Sequence, residues 1–433
     1  MSQFFKILPK MRKTPIIFVI GCTGTGKSDL GVAIAKKYGG EVISVDSMQF
    51  YRGLDIATNK ITEAEAEGIP HHMMSFLNPS DPSAYNVHQF REATLDLIQK
   101  IRSRSKVPII VGGTTYYAES VLYENNLIET TSTTNSDDVI TKSRTSSESS
   151  SVTSESDDIT NLALWEELKR VDEQSANLLH PNNRSRVQRA LQIFKETGIP
   201  KSQLVQQQKS DDTVDLGGKL RFDDSLVIYM DATPEVLEER LDGRVDKMIK
   251  MGLKKELVEF YDEHKIQIHH SKYGVMQCIG LKEFVPWLAM EPSERDTSKG
   301  DKLFKKGCDD VKLHTRQYAR RQRRWYRSRL LIRSDGDRKM ASTKMLDTSD
   351  KTKIISDGMA IVDQWMGGVD LFEDISTENA KNTVMKGRDA NVLLKCELCD
   401  ISMTGKDNWQ RHIDGKKHKR NVKKAKEQQP NLG

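Results

Sequence analysis

Residues 21–28 read GCTGTGKS and fit G-x-x-x-x-G-K-[ST], with a short apolar run before them and a helical pattern after. Gly21, Gly24 and Gly26 let backbone N–H groups turn inward on phosphate oxygens, and Cys22, Thr23 and Thr25 complete the loop. Lys27 supplies a point charge, Ser28 offers a hydroxyl to Mg²⁺, and the helix N-terminus adds its dipole. The pattern establishes phosphate binding and leaves the kind of phosphate open.

A second constellation, VDSMQFYRGLDIATNK, occupies 45–60. Asp46 falls at the carboxyl end of a predicted strand, the side on which open α/β sheets bind ligands. A carboxylate there serves equally as a Mg²⁺ ligand, a helix cap or a base, and Ser47 and Gln49 are short enough to reach a base edge. An ordinary P-loop ATPase is expected to carry a strand ending in a Walker-B carboxylate. Here VPIIVGGTTYY (107–117) ends in Gly112, Gly113 and Thr114, which counts against ATP hydrolysis. Two rivals stay open on these residues: a P-loop kinase acting on a small metabolite, and a nucleic-acid-binding regulator that uses the loop as a switch.

Basic groups are concentrated further on. Lys312, Arg316, Arg320, Arg321, Arg323, Arg324, Arg327 and Arg329 follow one another with no acid between them, although the whole chain carries a formal charge of only +5. Such a run suits a polyanion, or is simply a solvated helix face. Tyr318, Trp325 and Tyr326 are expected to pack that helix against the core. In HPNNRSRVQRALQIFKETGIPKS (180–202), Val187, Ala190, Leu191 and Phe194 form an apolar stripe. Arg184, Gln188, Arg189 and Gln192 then project from an exposed face suited to phosphate and base-edge contacts. Near the end, Cys396, Cys399, His412 and His418 have C-x2-C-x12-H-x5-H spacing, a closed tetrahedral set for a structural Zn²⁺. So small a module needs the metal to fold.

These groups require a scaffold of alternating strands and helices. Strands are predicted at 14–21, 41–46, 107–117 and 225–231, with helices after the glycine loop and at 87–102. The fold class is α/β: a P-loop NTPase-like parallel sheet core with a helical insertion domain and a C-terminal Cys2His2 zinc finger. Residues 1–13 form a basic leader, with Met11 as a second start that would suit an organellar presequence. The core takes 14–117 and 222–333, and 118–221 is a helical insertion carrying a disordered Ser/Thr-rich loop at 130–158. Residues 334–390 read as a linker containing one amphipathic piece, 391–425 as the finger and 426–433 as a tail. Five cysteines are too few for a disulfide framework and point to a reducing compartment, and no apolar run is long enough to span a membrane.

Taken together, the ordered motifs resemble the tRNA isopentenyltransferase (tRNA dimethylallyltransferase) family, eukaryotic type with a zinc finger. They are GCTGTGKS, DSMQFYRGLDIATNK, IPHHM (69–73), VGGTTYY, HPNNRSRVQRALQIFKETGIPKS and LDGRVDKMIKMGLKKEL (241–257). GVMQCIGLKEF (274–284) and HTRQYARRQRRWYR (314–327) extend the resemblance over about 14–333. It implies transfer of a dimethylallyl group from dimethylallyl diphosphate to the exocyclic amine of the adenosine 3′ to a tRNA anticodon. Asp46 would be the base, Thr23 would lie near the leaving oxygens, and Arg221 would match the family arginine that contacts the diphosphate. Contacts to tRNA carry over to Ser47, Met48, Gln49, Thr114, Arg186, Gln188, Arg189, Gln192, Arg320 and Arg324. Cys22 stands where many members have Pro and reads as a small packed residue. A monomer acting on the anticodon stem-loop is expected, with no membrane association. Its location is expected to be cytoplasmic, with mitochondrial and nuclear pools.

Overall fold

The structure, a computed structural model, describes residues 12–81, 85–124, 127–128, 160–210, 219–271, 274–327, 341–372, 393–399 and 401–428. The chain divides into one unit of residues 1–127 and 214–374 and another of 128–213 and 375–433. The predicted Ser/Thr-rich loop at 130–158 lies outside the described residues.

The first unit opens with β1 (Ile16–Gly21), α1 (Lys27–Tyr38), β2 (Gly40–Val45), α2 (Glu63–Ala66) and β3 (His71–His72). α3 (Val87–Ser103), β4 (Val107–Gly112) and α4 (Thr115–Leu122) follow. Each residue of β1 and β2 is buried, as parallel strands covered on both faces require. Along β1, Ile16, Phe18 and Ile20 point into one apolar cluster with α3 and α4. Ile17 and Val19 point into the other, with Leu30, Ile34 and Ala35 of α1. α3 starts at a capping box in which Asn86 accepts from Gln89 N and Gln89 accepts from Asn86 N.

The second unit contains α5 (Asn161–Val171), α6 (Glu173–Asn177), α7 (Arg184–Thr197) and α8 (Lys201–Ser210). Leu164, Leu168, Ala176, Val187 and Leu191 bind the first three together, and Trp165 Nε1 donates to the carbonyls of Ala176 and Leu179, each at 2.9 Å. Its later part holds the antiparallel hairpin β7 (Leu393–Cys396) and β8 (Ile401–Thr404), then helices Lys406–Asp414 and Lys416–Gln428.

Between these segments the first unit resumes with β5 (Ser225–Asp231), α9 (Pro234–Lys250), α10 (Leu253–His270), α11 (Val285–Leu288) and α12 (Pro292–Arg295). It ends with α13 (Ser298–Trp325), β6 (Ser342–Asp347) and α14 (Ile354–Met366). The sheet has six parallel strands in the order β3-β2-β4-β1-β5-β6. The crossover between β2 and β1 opens a cleft at their carboxyl ends, where both motifs begin.

Four boundaries differ from those expected: the insertion expected at 118–221 corresponds to 128–213, and the strand expected at 107–117 ends at Gly112 with α4 taking over at Thr115, while the linker and the leader also change. The predicted linker at 334–390 supplies β6, registered from Leu226↔Ser342 to Asp231↔Asp347, and α14, whose Ile354, Val362 and Trp365 enter the core beside α1. STKMLD lacks an apolar run because an edge strand has a neighbour on one side only, so a polar sequence is tolerated there. The predicted leader also stops short of Arg12. That guanidinium lies 4.9 Å from the Trp365 ring centroid, donates to Trp365 O at 3.1 Å and pairs with Asp370 at 2.6 Å.

Trp365 is fully buried. Trp365→Ala should therefore cost about 3–5 kcal/mol in urea unfolding, whereas a residue in a polar linker would change stability by less than about 0.5 kcal/mol.

Candidate active site

The phosphate loop joins β1 to α1. Gly24 and Gly26 hold φ of +86° and +82°, which a side chain would strain, so the curl of the loop depends on glycine at both positions. Lys27 Nζ donates to Cys22 O at 2.6 Å, folding back across the loop. Burial lowers the Lys27 pKa to about 8, although Cys22 and Asp46 oppose the shift. Cys22 is packed under α13, with Sγ 3.5 Å from Ala319 O, and burial pushes its thiol up to about 11. That is the behaviour of a packed residue and not of a nucleophile. Ser28 is exposed at the head of α1.

Asp46 directly follows β2 and lines the same open cleft of about 700 Å³. Its Oδ1 accepts from Met48 N at 3.1 Å. Burial raises its pKa, against the lowering pull of the Met48 amide, Lys27 and Arg244. Ser47 N donates to Thr114 Oγ1 at 3.3 Å, and Thr114 N donates to Val45 O at 3.0 Å, so the ends of β2 and β4 are stitched together. Met48 packs against the core. Gln49 is engaged within its own loop, where it accepts from Ser44 Oγ and donates to Thr58 O and Asn59 O. In this conformation its amide does not present the free base-reading edge expected from the motif.

Lys60 holds that loop in shape. Its buried ammonium lies within hydrogen-bond distance of Tyr51 O (2.6 Å), Gly53 O (3.0 Å), Asp55 Oδ1 (2.7 Å) and Ser75 Oγ (2.8 Å). Glu256 of α10 supports the same stretch by accepting from Ile56 N and Ala57 N at 2.8 and 2.9 Å.

The arginine at the phosphate loop is not Arg221. Arg221 donates to Val121 O and Tyr123 O, each at 3.0 Å, and closes the end of α4. The group beside Thr23 is Arg244 of α9, whose Nη1 donates to Thr23 Oγ1 at 2.8 Å. Burial lowers Arg244 to about 10, with Asp46 opposing. Its signal was present inside LDGRVDKMIK, but only the docking of α9 singles it out. Gln322 of α13 is the second missed residue. It accepts from Thr23 N at 3.0 Å and donates to Gly113 O at 2.9 Å.

The basic run on α13 is largely answered inside the protein. Lys312, Arg316 and Arg320 pair with Asp246, Asp242 and Glu238 of α9, and Arg323 pairs with Asp231. Both helices use i, i+4 spacing and run in opposite directions, so the acids that 312–329 lacks arrive from another helix. Arg320 is thus ion-paired, while Arg324 is exposed with no ion-pair partner among the described residues. Tyr326 is buried, 4.6 Å from Tyr229 between ring centroids, and Trp325 meets Tyr116 edge-on. On α7, Gln188 is exposed, Arg186 is half-buried and Gln192 donates to Glu196. Arg189 is buried, so it leaves the exposed face that its spacing suggested.

A family model described as IPP transferase matches residues 49–329, more than half of the chain. The chain belongs to the IPP transferase family. It is 34% identical over 425 residues to a tRNA dimethylallyltransferase of Homo sapiens, covering 96% of this chain and 87% of that relative. It is 33% identical over 437 residues to one of Schizosaccharomyces pombe, covering 95% and 96% of the two chains. A solved eukaryotic dimethylallyltransferase acting on tRNA matches with a TM-score of 0.73 at 29% identity, over 96% of this chain and 98% of that one.

This IPP transferase family member carries a second match, a C2H2-type zinc finger at 394–418. Cys396, Cys399, His412 and His418 bring their donor atoms within 4.8 Å of one another, a fit for tetrahedral Zn²⁺. Asn421, one turn beyond His418, donates from Nδ2 to Cys399 Sγ at 3.3 Å. That bond orients the thiolate and draws the last helix into the metal site. Asn421→Leu should weaken zinc binding about 10–100-fold, measured by chelator competition on the full chain.

Proposed function

We propose that the protein transfers the dimethylallyl group of dimethylallyl diphosphate to the exocyclic amine of the adenosine 3′ to a tRNA anticodon, releasing diphosphate. One observation carries this reading. The cleft sets Asp46 beside Lys27 and Arg244, while β4 ends in glycines with no Walker-B carboxylate. In the reaction the amine nitrogen attacks the primary allylic carbon. The carbon–oxygen bond breaks with its electron pair leaving on the diphosphate, and the amine proton passes to Asp46. Lys27, Arg244 and the loop amides hold the anion that carries this charge. Base assistance contributes about 10²–10⁴-fold. Thr23, held by Arg244, fits a place near the leaving oxygens.

Ser28 would hold Mg²⁺. Its exposed hydroxyl at the head of α1 and the carboxylate in the same cleft are hard oxygen donors, as that ion prefers. The ion would supply further charge neutralisation of the diphosphate. Arg186, Gln188 and Arg324 are the polar groups suited to tRNA phosphates and base edges. A monomer suffices, because loop, base and arginine come from one chain. Cytoplasmic residence with mitochondrial and nuclear pools completes the reading. Five free cysteines and the basic residues ahead of β1 and in the finger support it.

Purified protein given labelled dimethylallyl diphosphate and tRNA should label the anticodon-loop adenosine. Consumption of ATP with no transfer from the prenyl donor would discard the proposal. Arg244→Ala should lower kcat/KM about 10²–10³-fold, and Arg221→Ala should act mainly on stability. Because burial raises Asp46, its base form is complete only above a pKa higher than the ordinary carboxylate value and is lost as pH falls through it. The kcat/KM profile should therefore show an acid limb above the usual carboxylate range, and an acid limb at the ordinary aspartate value would exclude Asp46 as its origin.

A further inference from the structure

We infer that Gln322 is a positioning residue for the transfer, because its side-chain amide couples the phosphate loop to the end of β4, which is stitched to the β2 end that carries the base. The inference rests on the reaction proposed above. Three turns of α13 seat the first three loop residues. Ala319 O meets Cys22 Sγ at 3.5 Å, Gln322 Oε1 accepts from Thr23 N at 3.0 Å, and Tyr326 Oη donates to Gly21 O at 3.4 Å. The middle contact continues beyond the loop to the backbone at the end of β4. Gln322 Nε2 donates to Gly113 O at 2.9 Å, the neighbouring Thr114 Oγ1 accepts from Ser47 N at 3.3 Å, and Ser47 adjoins Asp46. A continuous path thus runs from Thr23 to Asp46. At its centre Gln322 is only 6% exposed, and a Cβ on residue 113 would collide with its Nε2.

A primary amide is the neutral side chain that serves both ends of this path. One oxygen accepts from Thr23 N, and one N–H donates to Gly113 O. Thr23 is then held twice, at its amide by Gln322 and at its hydroxyl by Arg244. The spacing between anion cradle and base is therefore set by this bridge, while Lys27 and Arg244 provide the attraction for the anion. Loss of the bridge should appear in kcat and leave anion binding nearly unchanged. Misplacement of about 1 Å in such an arrangement costs about 10²-fold.

Two variants test it. Gln322→Met has similar length and makes neither bond. It should lower kcat about 10²-fold while the Kd for inorganic pyrophosphate, by calorimetry, stays within about threefold of wild type. Gln322→Glu adds a readout that a structural defect would not move. Protonated, the carboxyl accepts from Thr23 N and donates to Gly113 O; ionised, it has no proton for Gly113. Gln322 shares the cleft lining with Lys27 of α1, Arg244 of α9 and Asp46 after β2, and next along the chain come Arg323, paired with Asp231 of β5, and Tyr326 at the end of α13. Burial raises the introduced carboxyl and the nearby cations lower it. The ratio of variant to wild-type kcat should climb toward one as pH falls and the introduced carboxyl takes up its proton. A ratio independent of pH, an unchanged kcat in the Met variant, or a loss confined to pyrophosphate affinity overturns the inference. Pyrophosphate binding can be compared even if the wild-type protein transfers no prenyl group, so failure of the reaction assignment is separable from failure of this one.

Discussion

Two cations and one carboxylate share a half-buried cleft, and their desolvation governs much of the surrounding structure. Burial lowers Lys27 and Arg244 and raises Asp46, so each is held in a charge state that the cleft disfavours. In the proposed reaction an entering diphosphate would relieve the cations, and a nearby amine would give the carboxylate a proton to receive. Holding such a set open demands rigid surroundings, because collapse into direct ion pairs would consume the charges. Left-handed glycines shape the loop, Lys60 braces the stretch after Asp46, and Gln322 spans the two.

α13 joins that rigidity to the outer surface. One face carries Lys312, Arg316 and Arg320 against the acids of α9, and another carries Gln322 and Tyr326 onto the phosphate loop. Since α9 also supplies Arg244, the ladder of ion pairs aligns two of the helices that build the cleft. Individually such surface pairs contribute little. Their value here is registry, because a slip by one turn would carry Arg244 or Gln322 away from Thr23.

Signals confined to short stretches were legible. The strands, the glycine loop, Asp46 and the four zinc ligands follow from periodicity and spacing that local physics enforces. Elements defined by a distant partner were not. β6 is polar because it has a single neighbour, and α14 belongs to the core although its flanks read as linker. Arg189 lies on a helical face whose burial depends on where α5 and α8 pack. The tRNA contacts expected at Gln49 and Arg320 met partners within the protein, which residue type cannot disclose.

The amino-acid order alone determined the glycine loop with its Lys27, the carboxylate at a strand end and the four clustered zinc ligands, since each depends on residues close in sequence. The choice of Arg244 over Arg221, the pairing of the basic run and the bridge through Gln322 were decided only when α9 and α13 docked on the sheet. The reason is one of range. Loop conformation and metal spacing are set within a few residues, but the partner of a long polar side chain is whichever group the tertiary fold brings within about 3 Å.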